Sequence, residues 1–241
     1  MKTHWFIWKG RNSYSEFGLW VRKLPKRVKP KERGEEIIIP GRAGCLMMTE
    51  GEDVYSAYSG EMTVSCKNTV NPDRLTEWLR GSGDLILSTD TGKAYTARIV
   101  NEVSFDRDEK EKLLIGTIPF LFQPFRKSVR PEADAFDVPA AAQGAATMRN
   151  RGDAACRPTV RIVGSGSNEI TIGDSAMTFE SLNGTASKPV IVDCEAEMIT
   201  RNGALWTGTA GGEFWRIPKG SFTISQTGSM DITVEPNWRW M

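Results

Sequence analysis

The stretch Glu36-Ile37-Ile38-Ile39-Pro40-Gly41-Arg42-Ala43-Gly44-Cys45-Leu46 says most about how this chain folds. Three β-branched residues in succession predict a strand buried on both faces. Pro40 ends it, because proline has no N–H to give to a ladder. Gly41 and Gly44 bracket Arg42 and let the backbone turn through positive φ. The segment reads as a strand, a rigid corner and one displayed guanidinium. An ordinary inter-strand turn is the plainer reading of a lone Pro-Gly. The residues on either side give this corner more weight.

Upstream, residues 4–8 and 17–21 read as two aromatic-rich strands around a turn at Gly10-Arg11-Asn12-Ser13. The composition then changes abruptly. Arg22, Lys23, Lys26, Arg27, Lys29, Lys31 and Arg33 face a single acid, Glu32, and Pro25 and Pro30 keep the segment extended. A run of like charges is usually a solvated loop. The functional alternative is an arm that lies on a neighbouring subunit or faces a channel.

Downstream, residues 54–58 and 62–66 supply strands, and Asn71-Pro72-Asp73 starts a helix. Asn caps free N–H groups, Pro suits the first helical position and Asp suits the dipole. Leu75, Trp78 and Leu79 fall on one face, and Gly81 ends a helix of about ten residues. Thr89-Asp90-Thr91-Gly92 signals a hairpin turn. Residues 93–105 and 113–122 then read as a long β-hairpin with a charged tip at residues 106–111. Phe120, Phe122 and Phe125 close a first domain over residues 1–130.

Residues 131–149 are Ala-rich and Pro-broken and read as a linker. From residue 150 to 241, short strands alternate with turns at Gly164-Ser165-Gly166-Ser167, Asn183-Gly184, Asn202-Gly203 and Gly211-Gly212. That texture predicts a second β-sandwich.

The bulk numbers narrow the function. A chain of 241 residues with net charge +1 has no global pull towards nucleic acid or an anionic membrane. No apolar run approaches the ~20 residues of a membrane helix. The apolar patch in residues 1–9 is too short for a signal peptide, so a cytoplasmic site of synthesis is expected. Cys45, Cys66, Cys156 and Cys194 are far apart and form no CxxC, so free buried thiols are expected.

Catalytic chemistry lacks its residues. The one histidine, His4, sits in an aromatic strand, where packing is the commoner role. There is no HExxH and no phosphate loop. Asp106, Asp108 and Glu109 alternate with Arg107 and Lys110, which fits a salt-laced turn better than a carboxylate pair. No cofactor, metal or catalytic residue is assigned. Trp206, Trp215, Trp238 and Trp240 are candidates for stacking on sugars, although aromatic residues are more often core.

Taken in order, the chain carries Trp5-Phe6-Ile7-Trp8, Phe17-Gly18-Leu19-Trp20-Val21, Leu24-Pro25, the corner with Pro40, Gly41, Arg42 and Gly44, the Leu75–Leu79 helix and Tyr95-Thr96-Ala97-Arg98-Ile99. Asn150-Arg151-Gly152-Asp153, Pro158-Thr159-Val160-Arg161-Ile162, Ile191-Val192-Asp193-Cys194 and Pro236-Asn237-Trp238-Arg239 follow. This ordered set resembles the distal tail proteins of long-tailed, siphovirus-type bacteriophages and related tail-like particles, over nearly the whole chain. Ala43 departs from the pattern, which places an acidic residue in the corner.

The resemblance implies a mostly β protein. Its N-terminal β-sandwich would carry one short helix and a long β-hairpin, followed by a galectin-like C-terminal β-sandwich. It further implies a homohexameric ring formed by the N-terminal domains. The edge strands of the first domain and the long hairpin are the natural donors of its interface, Arg42 is a candidate contact inside the subunit or across the ring, and the basic arm is a further candidate. Such a ring joins the tail tube protein to a tail-associated tip protein at the virion tail tip. Its channel passes the tape-measure protein and then DNA, with assembly in the host bacterial cytoplasm and no membrane insertion. Two alternatives are a glycan-binding adhesion module using the C-terminal sandwich and a tail tube subunit.

Overall fold

Two units divide the chain, Met1–Val129 with Met241 and Arg130–Trp240. The structure, a computed structural model, describes residues 3–51 and 53–241. Met1, Lys2 and Glu52 lie outside the described residues, and with them the start of the segment read above against a signal peptide. Strands hold 54% of the chain and helices 8%, so it is mostly β, with curled antiparallel sheets.

The first unit runs β1 (Phe6–Trp8), β2 (Arg11–Asn12), α1 (Ser13–Phe17), β3 (Trp20–Lys23), β4 (Gly34–Ile37), β5 (Leu46–Thr49), β6 (Tyr58–Lys67), α2 (Pro72–Trp78), β7 (Gly81–Leu87), β8 (Asp90–Ile99), β9 (Ser104–Asp108) and β10 (Leu113–Ser128). Its main sheet has the order β2-β1-β7-β8-β10-β6-β3, with β9 also on β10. Strand β10 is the spine, pairing with β6 from Leu113↔Lys67 to Phe122↔Tyr58. Its alternating residues Leu114, Ile118, Phe120 and Phe122 point into the core, where Phe6, Trp8, Met62 and Val64 meet them. Period-2 alternation on a one-sided sheet produces this pattern.

Three local expectations are corrected here. The turn expected at residues 10–13 gives way to β2 at Arg11–Asn12 and a helix at Ser13–Phe17, because the Asn12 side chain accepts from the N–H groups of Tyr14 and Ser15 and Gly18 closes the helix at φ 62°. Residues 93–105 are not one strand: β8 stops at Ile99 and β9 begins at Ser104. Helix α2 starts as expected, with Asn71 accepting from Asp73 N–H, but ends at Trp78, since β7 begins at Gly81.

The second unit runs β11 (Phe136–Asp137), β12 (Ala146–Arg149), β13 (Thr159–Ile172), β14 (Ser175–Gly184), β15 (Val190–Asp193), β16 (Met198–Arg201), β17 (Ala204–Leu205), β18 (Thr209–Gly212), β19 (Ser221–Gln226) and β20 (Asp231–Glu235). Residues 131–149 are not a free linker, because β11 pairs with β20 and β12 with β19. Strand β13 serves two sheets: Thr159 to Val163 pair with β15 and β20, and Gly164 to Ile172 with β14 and β19. Gly164-Ser165-Gly166-Ser167 is therefore the bend of a strand that changes sheets, with φ 102° at Gly166, and not a loop. Asn183-Gly184 and Gly211-Gly212 likewise lie inside strands, whereas Asn202-Gly203 is the tight turn between β16 and β17.

The core of this unit gathers Val160, Ile162, Ile170, Phe179, Val192, Trp215, Ile224 and Val234. Two buried amides beside it are paired. Asn168 Nδ2 donates to Gln226 Oε1 at 2.9 Å, and Gln226 Nε2 donates to the Met230 carbonyl at 2.9 Å. Buried polar groups satisfied in this way pin the strand register.

Cys45 is exposed, and Cys66, Cys156 and Cys194 are buried without disulfides. Burial pushes the Cys66 thiol up to about 11 and those of Cys156 and Cys194 to about 12. The thiolate is the reactive form, so the buried three stay inert. Alkylation at mildly alkaline pH is expected to label one thiol per native chain and four after unfolding, read by intact mass.

Candidate functional site

The Glu36-to-Leu46 stretch folds as a hairpin that stands apart from the main sheet. Strands β4 and β5 pair only with each other, from Gly34↔Thr49 to Ile37↔Leu46. Below them the two chains continue side by side. Arg33 N–H donates to the Val54 carbonyl at 2.9 Å, and Ser56 N–H to the Lys31 carbonyl at 2.8 Å. Arg33 and Glu50 add an ion pair at 2.9 Å. Residues 31–51 and 53–56 thus form one two-stranded protrusion. At its root Tyr55 meets Phe125 edge-on, with ring centroids 5.6 Å apart.

The corner at the tip is built as the sequence demands. Arg42 N–H donates to the Ile39 carbonyl at 3.1 Å across Pro40 and Gly41, and Gly41 has φ 83°. Proline first and a positive-φ glycine second are the requirements of a type II turn. Gly44, at φ 84°, then redirects the chain into β5. A Cβ at either glycine would meet nothing within 4 Å, so conformation alone calls for glycine here.

The expected burial is overturned. Every described residue of β4 is exposed, and Ile38 is 80% exposed, Met48 56% and Leu46 41%. Among the described residues no third strand pairs with β4 or β5, and the β-branched run stays exposed. Val28, Ile37, Ile38, Ile39, Leu46 and Met48 concentrate exposed apolar surface within residues 28–48. Arg42 is exposed and, among the described residues, makes no ion pair. A two-stranded hairpin alone in water is marginal, and an uncovered apolar patch of this kind marks an interaction surface.

The basic arm leads directly into this hairpin. From Leu24 to Lys31 it has no regular structure, yet Pro30 is buried and Leu24 and Pro25 are half-buried, so it is tacked down at intervals. Arg22 pairs with Glu111 at 2.8 Å and Lys29 reaches Glu32 at 3.8 Å. Lys23, Lys26, Arg27 and Lys31 are exposed and, among the described residues, have no ion pair. Pro40, Gly41, Arg42 and Gly44 share the tip of the hairpin, whereas of the arm's cations only Lys31 and Arg33 lie on the hairpin's own paired chains, and Arg22 and Lys23 belong to β3.

The other candidates have structural roles. His4 Nδ1 shares a hydrogen bond with Ser88 Oγ at 3.3 Å. Asp108 accepts from the N–H groups of Lys110 and Glu111, each at 3.0 Å, and so shapes the β9–β10 turn. In Arg151-Gly152-Asp153, Arg151 pairs with Asp134 at 2.9 Å, and a Cβ on Gly152 would run into the Arg239 carbonyl. That tripeptide is a packing corner. Trp215 and Trp238 are buried, while Trp206 and Trp240 are half-buried against the same core. The two buried rings, Trp215 and Trp238, present no open face to a sugar. Among the described residues no three His, Cys, Asp or Glu side chains converge, and no helix is long and apolar enough to cross a membrane.

No protein-family model matches the sequence, and a search of curated proteins finds no match either. Among solved structures, the chain is similar to the Dit protein (gp 19.1) of phage SPP1, described as a paradigm of the hub adsorption apparatus in phages that infect Gram-positive bacteria. The likeness has a TM-score of 0.73 at 16% identity and covers 100% of both chains, so this chain shares the fold of that hub protein from end to end.

Proposed function

We propose that this chain is a distal tail hub, an adaptor ring between a phage tail tube and its tip proteins. The observation that carries the reading is the separate hairpin of β4 and β5, whose apolar tip is exposed among the described residues. The end-to-end fold likeness supports it. Six copies close head to tail, each laying its hairpin and basic arm on the next. A heterologous interface of this kind forms a ring when its rotation closes. Permanent contacts of this class bury roughly 2,000 Å² or more in total. The N-terminal unit is the ring-forming domain.

In the assembled tail the ring stacks on the tail tube protein above and on the tail-associated tip protein below. The tape-measure protein and then DNA pass through its channel. The chain works by shape, as a virion component assembled in the host cytoplasm, and catalyses nothing. Native mass spectrometry and particle imaging of the purified chain are expected to show discrete sixfold rings. Solitary copies alone at high concentration would overturn the reading, and open filaments would favour a tail tube subunit.

A further inference from the structure

We propose that the cleft beside α1 and α2 holds a carboxylate side chain from an acidic segment of another protein. A cavity of about 350 Å³ lies there, lined by Arg11, Arg74, Glu77, Trp78 and Arg80. Its base is aromatic and rigid. Trp78 stacks on Phe17, with centroids 4.1 Å apart and planes 12° from parallel, and on Phe6 at 5.5 Å. The Trp78 indole N–H donates to the Trp8 carbonyl at 3.3 Å, which fixes the ring.

Two guanidiniums rest on that base. Arg11 lies 4.6 Å from the Phe17 ring centroid and Arg74 5.3 Å from it. Stacking of this kind orients a planar guanidinium before any partner arrives. Arg11 uses its Nε on Glu16 Oε2 at 2.7 Å. That hydrogen bond is the main reason the Glu16 carboxyl titrates below its ordinary value, with the charges of Arg11 and Arg74 also helping. Arg74 has no carboxylate of its own among the described residues. Arg80 has only Glu77 at 3.8 Å, with both side chains over 70% exposed, a geometry worth almost nothing in water. Lys9 adds a further cation, its Nζ donating to the Arg80 carbonyl at 2.8 Å.

The cleft therefore has one oriented guanidinium, Arg74, with no carboxylate of its own among the described residues, beside Arg11, which gives its Nε to Glu16, and Arg80, which is only loosely held. A carboxylate matches the fork, which accepts it through two parallel N–H bonds. A nucleic-acid strand fits less well. Its closely spaced phosphates would be drawn past Glu16 and Glu77, which interleave with the cations and repel a continuous run of negative charge. One acidic side chain, or two neighbouring ones, fits between them.

Calorimetric titration of the full chain with the capped peptide Ac-Glu-Glu-Glu-Glu-NH2 tests this, with a thymidine oligonucleotide and inorganic phosphate as comparisons. Saturable peptide binding is expected, weakening at high salt. It should fall at least about tenfold in Arg74→Ala/Arg80→Ala. Arg74→Lys, which keeps the charge and loses the fork, should also bind more weakly than the native chain. Arg74 and Arg80 are exposed, so the variants retain the fold, which their unfolding midpoint checks. Absence of saturable binding, equal binding by the double variant, or tighter binding of the oligonucleotide or phosphate would each overturn the proposal. Ring formation is scored separately by imaging, so the two readings fail independently.

Discussion

Ile38→Glu/Leu46→Glu is expected to abolish the ring while leaving the monomer as stable as before. Both residues are exposed in the single chain, Ile38 at 80% and Leu46 at 41%. Exposed substitutions away from caps and buried pairs usually change stability by no more than about 0.5 kcal/mol. The same positions in a subunit interface lose about 1.5–3 kcal/mol of apolar burial per side chain. They also bring in carboxylates that must be desolvated without partners, which costs several kcal/mol more each. Since about 1.4 kcal/mol is a factor of ten in affinity, the association constant should drop by more than about a thousandfold. Sedimentation should then show monomers, with an unchanged thermal midpoint. Arg42→Ala, which removes one exposed cation from the same tip, should weaken the ring and leave the monomer folded. Rings that persist unaltered in the glutamate variant would sink the proposed role of the hairpin.

This contrast between the monomer and the assembly also explains what was legible in the sequence. The strand was readable as far as Ile37, where β4 ends, and Pro40 and Gly41 as the corner beyond it, while Ile38 and Ile39 lie past the ladder. Its burial was not readable. A β-branched run looks the same whether its cover comes from its own sheet or from another molecule, and only the absence of a third strand beside β4 and β5 separates the two. The Asn71-Pro72-Asp73 cap was legible for the same local reason. Helix α1 was missed although Asn12 is a cap of the same type, because the aromatic alternation around it pointed to strands. The bend at Gly164 and Gly166 was taken for a turn because glycine marks both. The difference depends on β19 and β20, strands more than fifty residues away that pair with either half of β13. Long-range pairing also claimed residues 131–149, whose composition looks like a linker while β11 and β12 depend on β20 and β19. Of the proposed carboxylate cleft, the four cations at 9, 11, 74 and 80 were visible as residues. Their gathering over Phe17 and Trp78 was not, since α2 is brought to α1 only through the sheet.

Trp215→Ala is expected to cause the largest loss of stability in the C-terminal sandwich. The side chain is fully buried, its ring centroid lies 6.1 Å from that of Phe179, and its indole N–H donates to the Ile170 carbonyl at 3.1 Å. Truncating a buried tryptophan usually costs about 3–5 kcal/mol, from lost transfer energy and the cavity left behind. For a unit of roughly a hundred residues each kcal/mol moves the midpoint by about 4–8 °C, so calorimetry should record a drop of well over ten degrees. Conservative variants separate the ring from its N–H. Trp215→Phe removes the donor to the Ile170 carbonyl and should cost about 0.5–1.5 kcal/mol beyond the change in volume. The Trp238 indole N–H is buried with no acceptor, so Trp238→Phe removes an unsatisfied donor and should cost less. A sugar-stacking tryptophan would behave in the opposite way, because such a ring waits in solvent for its ligand and its truncation leaves the apo fold intact. If Trp215→Ala melts with the native chain, the core assignment is wrong and the adhesion reading regains its ground.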